Sequence, residues 1–241
     1  MSERRFISDV VLSTPVSRDS YLNTLPVIAH LQKHKSLPVK SDVTFFVGEN
    51  GTGKSTLLEA IAVAAGFNAE GGTKNFDFST NNTHSELCEH ITLVKSKYPK
   101  DGFFLRAESF YNAASYIDKI GAAGNYGGKS LHRQSHGESF LSLVQNRFGS
   151  NGLYLLDEPE AALSPSKLMT LMVEINALIK ENCQFIIATH SPMLMTFPKA
   201  QIYEFSENGI ASVDYRETEH YRITREYLEN PERMLRYLLE E

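Results

Sequence analysis

The stretch G-E-N-G-T-G-K-S, residues 48–55, constrains this chain more than any other. It follows V-T-F-F-V-G (43–48), a short run of apolar, β-branched and aromatic residues that predicts a buried strand. It opens K-S-T-L-L-E-A-I-A-V-A-A (54–65), apolar at helical spacing and ended by Gly66. A glycine-rich turn between a strand and a helix lets successive N–H groups point inward, and the helix start adds positive partial charge. Together they form a cradle for phosphate. Gly48, Glu49, Asn50, Gly51, Thr52 and Gly53 make the cradle, and Thr56 lies just beyond it on the helix. Lys54 supplies a full charge to the β- and γ-phosphates, and Ser55 offers its hydroxyl to Mg²⁺.

Such a turn needs a sheet beneath it. F-I-S-D-V-V-L (6–12), F-F-L-R-A (103–107), G-L-Y-L-L-D (152–157) and Q-F-I-I-A-T (184–189) read as further strands, with a helix at about 165–181 between the last two. Q-I-Y-E-F-S and G-I-A-S-V-D-Y predict a hairpin around Glu207-Asn208-Gly209, and Pro231 opens a last helix. Strands alternating with helices imply an α/β fold with a mainly parallel sheet covered by helices. With 241 residues, 41% of them hydrophobic, the chain suits one domain spanning 1–241. Its core is expected at about 1–67 and 140–241, with a small peripheral helical lobe at about 68–139.

Two carboxylates come next. L-Y-L-L-D-E-P-E (153–160) is a buried-type strand ending in adjacent acids. Asp157 is placed to hold Mg²⁺, and Glu158 to take a proton from an attacking water. His190 follows another apolar strand in A-T-H-S-P, 33 residues after Asp157. A polar residue leaving the carboxyl end of a neighbouring strand faces the same crevice, where a histidine can hydrogen-bond a γ-phosphate. The stretch Q-S-H-G-E-S (134–139) precedes the apolar run F-L-S-L-V-Q-N-R-F. It reads equally as a helix cap and as a second phosphate contact, because a helix N-terminus exposes orphan N–H groups.

The order of phosphate loop, S-x-G-E, strand-D-E-P, A-L-S-P and T-H-S resembles the ABC-type ATPases. Within them it is similar to the branch of chromosome-maintenance and double-strand-break-repair ATPases, and to stand-alone AAA-family ATPases. The resemblance covers about residues 40–210. It implies an ATP-dependent head-to-tail homodimer with ATP and Mg²⁺ as cofactors. It places Ser135, His136, Gly137 and Glu138 as the signature that meets the other subunit's ATP, and Ala162, Leu163 and Ser164 as a loop crossing the interface. By the same resemblance Lys54, Glu158 and His190 are catalytic, and Ser55 and Asp157 hold the metal. Three departures stand out: His136 replaces a glycine, Ser164 stands where Asp is frequent, and Glu108 or Ser109 occupies the place of a metal-shell glutamine. Glu108 is therefore a candidate metal ligand. Tyr21 is a candidate for stacking on adenine.

Bulk properties narrow the partners. The net charge of −5 gives no global basic field for nucleic acid. Basic residues at Arg4-Arg5, Lys33–Lys35 and Arg222–Arg236 interleave with acids and suit solvated faces. Cys88 and Cys183 are in no metal-ligand spacing, the first residues lack a signal-peptide core, and no apolar stretch approaches membrane-spanning length. A cytoplasmic protein without direct membrane insertion is expected. Its ATPase cycle would drive a nucleic-acid transaction or an effector protein. An interaction module in a repair or defence assembly and the motor subunit of a transporter are alternatives; a small-molecule kinase leaves the 135–139 and His190 motifs unexplained. The amphipathic C-terminal segment either docks on the core or receives a partner.

Overall fold

The computed structural model describes residues 5–73, 85–107 and 135–239. The first part of the chain gives β1 (Ile7–Leu12), α1 (Pro26–His34), β2 (Ser36–Pro38), β3 (Val43–Gly48), α2 (Lys54–Ala65), α3 (Leu87–His90), β4 (Ile91–Lys95) and β5 (Asp101–Arg106). The second gives α4 (His136–Arg147), β6 (Gly152–Asp157), α5 (Pro165–Lys180), β7 (Gln184–Ala188), α6 (Pro192–Met195), β8 (Gln201–Ser206), β9 (Gly209–Ser212), α7 (Glu219–Glu229) and α8 (Pro231–Leu239).

Strand side chains alternate between two apolar layers. Phe46, Leu155 and Ile186 face one buried cluster with Leu57 and Ile61 of α2. Phe45, Val47, Leu156 and Ile187 face the other, with Phe140 and Leu143 of α4 and Leu171 and Ile175 of α5. Being apolar on both faces, β3, β6 and β7 read in sequence as continuous apolar runs. The six strands lie in the order β5-β6-β7-β3-β8-β9, parallel except for the β8–β9 hairpin. This is the α/β architecture that the alternation of strands and helices predicts.

A second, antiparallel sheet, β2-β1-β4, adds to the first layer. Buried Gln184 joins the two sheets: its Oε1 accepts the N–H groups of Phe6 and Ile7, both at 2.9 Å, and its Nε2 donates to Ile7 O at 2.8 Å. A buried amide with these bonds made pins β1 to the start of β7.

The segment read as a peripheral lobe, 68–139, is not peripheral throughout. β4 pairs with β1, and β5 pairs with β6 within the central sheet, with Phe103 and Phe104 fully buried. The run 103–107 thus begins two residues earlier than its apolar part suggests, at Asp101. The C-terminal helices go the other way. No residue of α7 or α8 is buried, and Ile223, Leu228, Leu235 and Leu238 are exposed. The amphipathic segment leaves most of its apolar side uncovered.

Candidate functional site

Register builds the site before any side chain does. Arg106 pairs with Asp157, Asp157 with Ala188, and Ala188 with Phe46. The carboxyl ends of β5, β6, β7 and β3 therefore lie side by side, as crevices in open α/β sheets require. Gly48 ends β3 at φ +127°, and a Cβ there would lie 2.1 Å from the Phe205 carbonyl oxygen of β8. Only glycine lets the loop leave the sheet at this point. Gly53, at φ +95°, stands at the start of α2 with Val27 of α1 packed where a Cβ would go.

Within the loop, the Thr52 hydroxyl and the Lys54 ammonium both donate to Glu49 O at 2.8 Å. Lys54 is buried, and burial pulls its pKa down against the opposing charges of Glu158, Asp157, Glu49 and Glu160. A desolvated cation facing four acids is poised for a polyanion. Ser55 Oγ donates to Asp157 Oδ1 at 2.9 Å, joining the helix start to the end of β6.

The Ser55–Asp157 pair suits Mg²⁺. Among the described residues no group of three or more His, Cys, Asp and Glu side chains forms a metal cage. Mg²⁺ commonly takes one or two protein oxygens and completes its shell with phosphates and water. Arg106, unforeseen in the sequence, lies beside this pair: its Nε is 3.4 Å from Asp157 Oδ2, and its Nη1 is 2.6 Å from Glu59 Oε2 of α2. Glu108 lies outside the described residues.

Glu158 adopts a left-handed conformation, φ 49° and ψ 52°, and its N–H donates to Ala188 O at 2.9 Å. A non-glycine residue held there is strained, and such strain clusters at functional sites. The Pro159–Ala162 turn follows. Glu158 Oε1 lies 3.5 Å from Nε2 of His190, so the two residues that the sequence singles out at the ends of β6 and β7 meet. Glu160 accepts the backbone N–H of His190, and burial pushes its carboxyl pKa up. Burial, Lys54 and His220 hold the His190 imidazole below its usual pKa. His220, from the first turn of α7, places its Nε2 2.9 Å from His190 Nδ1 and 3.8 Å from Glu49 Oε1.

Ser135 caps α4. Its N–H and its hydroxyl both donate to Glu138 Oε2, at 2.9 and 2.6 Å. Those bonds and the nearby Lys167 hold the Glu138 carboxyl below its usual pKa. Ser135 and His136 are exposed, whereas Gly137 is buried. A Cβ on Gly137 would come within 2.9 Å of the Ala162 carbonyl oxygen, so the 135–138 turn packs on the 162–164 loop. Lys167 Nζ donates to Ser135 Oγ at 3.3 Å across the same seam. Leu163 is buried and Ser164 is exposed at the start of α5. The hydrogen bonds of Ser135 and Glu138 thus stay within α4 and with Lys167, none reaching the phosphate loop of the same chain.

A cleft of about 650 Å³ opens beside the phosphate loop, lined by Gly48–Thr52, Thr24, Glu204, Glu207, Glu217 and Arg222. Tyr21 does not line it; its hydroxyl donates to Ser85 Oγ at 3.1 Å.

The fold and the layout of the site are similar to those of P-loop ATP-binding cassettes. A model described as "AAA domain" matches residues 28–113, and one described as "AAA domain, putative AbiEii toxin, Type IV TA system" matches 132–196. Residues of the chain are 25% identical over 187 positions to ribose import ATP-binding protein RbsA 2 of Escherichia coli O157:H7, covering 69% of this chain and 35% of that protein. RbsA of Shigella dysenteriae is 26% identical over 182 positions, covering 67% and 35%. The chain thus spans about a third of the length of these relatives. Among solved structures it is similar to a nucleotide-free ATP-binding cassette from an ABC transporter, with TM-score 0.51, 15% identity and coverage of 95% and 97%. It is also similar to cbiO1 of Clostridium perfringens, part of the transporter complex cbiONQ, with TM-score 0.50, 16% identity and coverage of 95% and 97%. No helix among the described residues is long and apolar enough to cross a membrane.

Arg106 and His220 carry no motif of their own, and Glu160 closes the D-E-P-E stretch without a role read for it there. Arg106 had one faint signal, a charge closing an apolar strand-like run. His220 had none, because its contact spans 30 residues.

Proposed function

We propose that the chain binds and hydrolyses ATP as a head-to-tail homodimer whose cycle moves a partner protein or nucleic acid. The observation carrying this is the convergence of Lys54, the Ser55–Asp157 pair and the Glu158–His190 contact at one sheet edge. Lys54 and the loop N–H groups bind the phosphates. Ser55 and Asp157 would hold Mg²⁺, which would supply positive charge against the phosphates. Glu158 takes a proton from the attacking water, and His190 donates to a γ-phosphate oxygen. This is positioning and charge stabilisation, the work expected of phosphoryl transfer. Beside the phosphate loop, Glu204, Glu207 and Glu217 offer acceptors to ribose hydroxyls and to the base amino group, which supports this side of the cleft as the nucleoside site.

The dimer is supported by what Ser135 and His136 do in one chain: both are exposed, at the N-terminus of a twelve-residue helix, with no bond to their own phosphate loop. In a head-to-tail pair they face the ATP of the second copy. Partner binding is supported by the exposed apolar side of α7 and α8.

Phosphate release with Mg²⁺-ATP, fluorescent-nucleotide binding, and light-scattering mass of Glu158→Gln test the reading. The expected result is turnover by the wild type, nucleotide binding lost in Lys54→Ala, and an ATP-dependent dimer in Glu158→Gln. A wild type that neither binds nor cleaves ATP overturns it.

A further inference from the structure

Because His190 Nδ1 lies 2.9 Å from Nε2 of His220, we propose that His220 is a positioning residue that fixes His190 as the Nε2–H tautomer, the form that can donate to a γ-phosphate. It rests on the γ-phosphate role of His190 given above.

One proton occupies the line between the two rings. If it sits on His190 Nδ1, then His190 Nε2 is bare and turns its lone pair toward Glu158 Oε1 at 3.5 Å. That arrangement sets a lone pair against a carboxylate. If the proton sits on His220 Nε2, it is donated to His190 Nδ1 and also faces Glu49 Oε1 at 3.8 Å. His190 Nε2 then carries hydrogen and points at Glu158, an attraction in place of a repulsion. Both carboxylates select the same tautomer, one at each end of the pair.

Two further atoms fit. His190 Nε2 is buried and makes no hydrogen bond in the protein, so with Glu158 Oε1 at 3.5 Å its hydrogen is not committed to another acceptor. His220 Nδ1 is also buried without a partner, as expected of the bare nitrogen once Nε2 holds the proton. Fixing one ring nitrogen through the other is how outer-shell groups orient histidines at metal centres.

His220 comes from the first turn of α7. The helix start is held independently: Thr218 Oγ1 donates to Tyr215 O at 2.7 Å, and Glu219 N–H donates to Glu204 Oε1 at 3.0 Å. A substitution at 220 therefore leaves α7 anchored. The His220–His190 hydrogen bond makes the C-terminal helical pair part of the hydrolysis site.

The test has a spectroscopic arm and a kinetic arm. Long-range ¹H–¹⁵N correlation of the imidazole groups assigns the His190 tautomer without nucleotide or turnover. The wild type is expected to show Nε2–H, and His220→Leu a mixture of both forms. In the kinetic arm His220→Leu is expected to lose about 10–100-fold in kcat, the usual range for an outer-shell partner, with little change in KM. His220→Gln, whose amide can donate to the same nitrogen, is expected to recover most of that loss. In a His190→Ala background, His220→Leu should add no further loss. An Nδ1–H His190 in the wild type, or a tautomer indifferent to His220→Leu, overturns the proposal. Because the wild-type tautomer is read without a variant or hydrolysis, a failed ATPase assay stays separate from a failed positioning claim.

Discussion

Glu158 allows chemistry and strain to be separated at one position. Glu158→Gln keeps the shape and the left-handed backbone but removes the proton acceptor. A positioned general base is worth about 10²–10⁴ in rate, or roughly 3–5 kcal/mol at 1.36 kcal/mol per tenfold. The side chain is 37% exposed and its contact with His190 is 3.5 Å long, so the fold should change by no more than about 0.5 kcal/mol. Glu158→Gly removes both the base and the strain. An L-residue in the left-handed region costs about 1–2 kcal/mol, and glycine's extra freedom in the unfolded chain gives back about 0.5–1 kcal/mol. The net is a gain near 0.5–1 kcal/mol, which raises the melting temperature by about 1–4 °C in a chain of this size. Phosphate release and scanning calorimetry on the three proteins read both quantities. The expected pattern is two equally inactive variants, with Glu158→Gln melting like the wild type and Glu158→Gly above it. A Glu158→Gln protein within about tenfold of wild-type turnover refutes the base assignment. A Glu158→Gly protein melting several degrees lower refutes the strain argument.

Three further outcomes follow from the same geometry. Gly137→Ala brings its Cβ to 2.9 Å from the Ala162 carbonyl and should cost about 1–3 kcal/mol by overpacking, lowering the melting temperature of the single chain. A bulky Gly137 variant is thus a poor probe of dimerisation, whereas His136→Glu, exposed and outside the Ser135–Glu138 cap, should leave melting nearly unchanged and abolish the ATP-dependent dimer seen by light scattering. His190 has a folded pKa below its unfolded value of 6.5, so the unfolded chain binds more protons between the two. Its contribution to stability is complete above pH 6.5 and is lost as pH falls from there through the folded pKa; the gap between the denaturant midpoints of wild type and His190→Gln should change with pH only across that acid window. The Tyr154 hydroxyl, near Asp101 Oδ2 and Gly149 O at 2.8 Å each, accepts the Gly149 N–H at 2.6 Å; Tyr154→Phe should cost about 1–3 kcal/mol in chemical unfolding.

The sequence by itself determined what short-range physics controls. The turn at 48–53 and the bounds of α2 at Lys54 and Gly66 follow from glycine placement and helical spacing, and they stand where the sequence puts them. The strand ending at Asp157 and the hairpin around Asn208 are equally local. Motif order also located Glu158 and His190, because strand ends in a parallel sheet share one edge. Only the tertiary structure decided which groups meet across that edge. Arg106 reaches Asp157 through the β5–β6 register, and His220 reaches His190 because α7 folds back across the end of the sheet. Gly137 proved to be a packing contact with the 162–164 loop as well as a motif residue. Periodicity alone also left open whether the C-terminal apolar stripe is covered, and in the fold it lies exposed. Backbone preference is set by neighbours along the chain. A hydrogen bond between side chains 30 residues apart is set by every packing choice between them, and no local pattern encodes it.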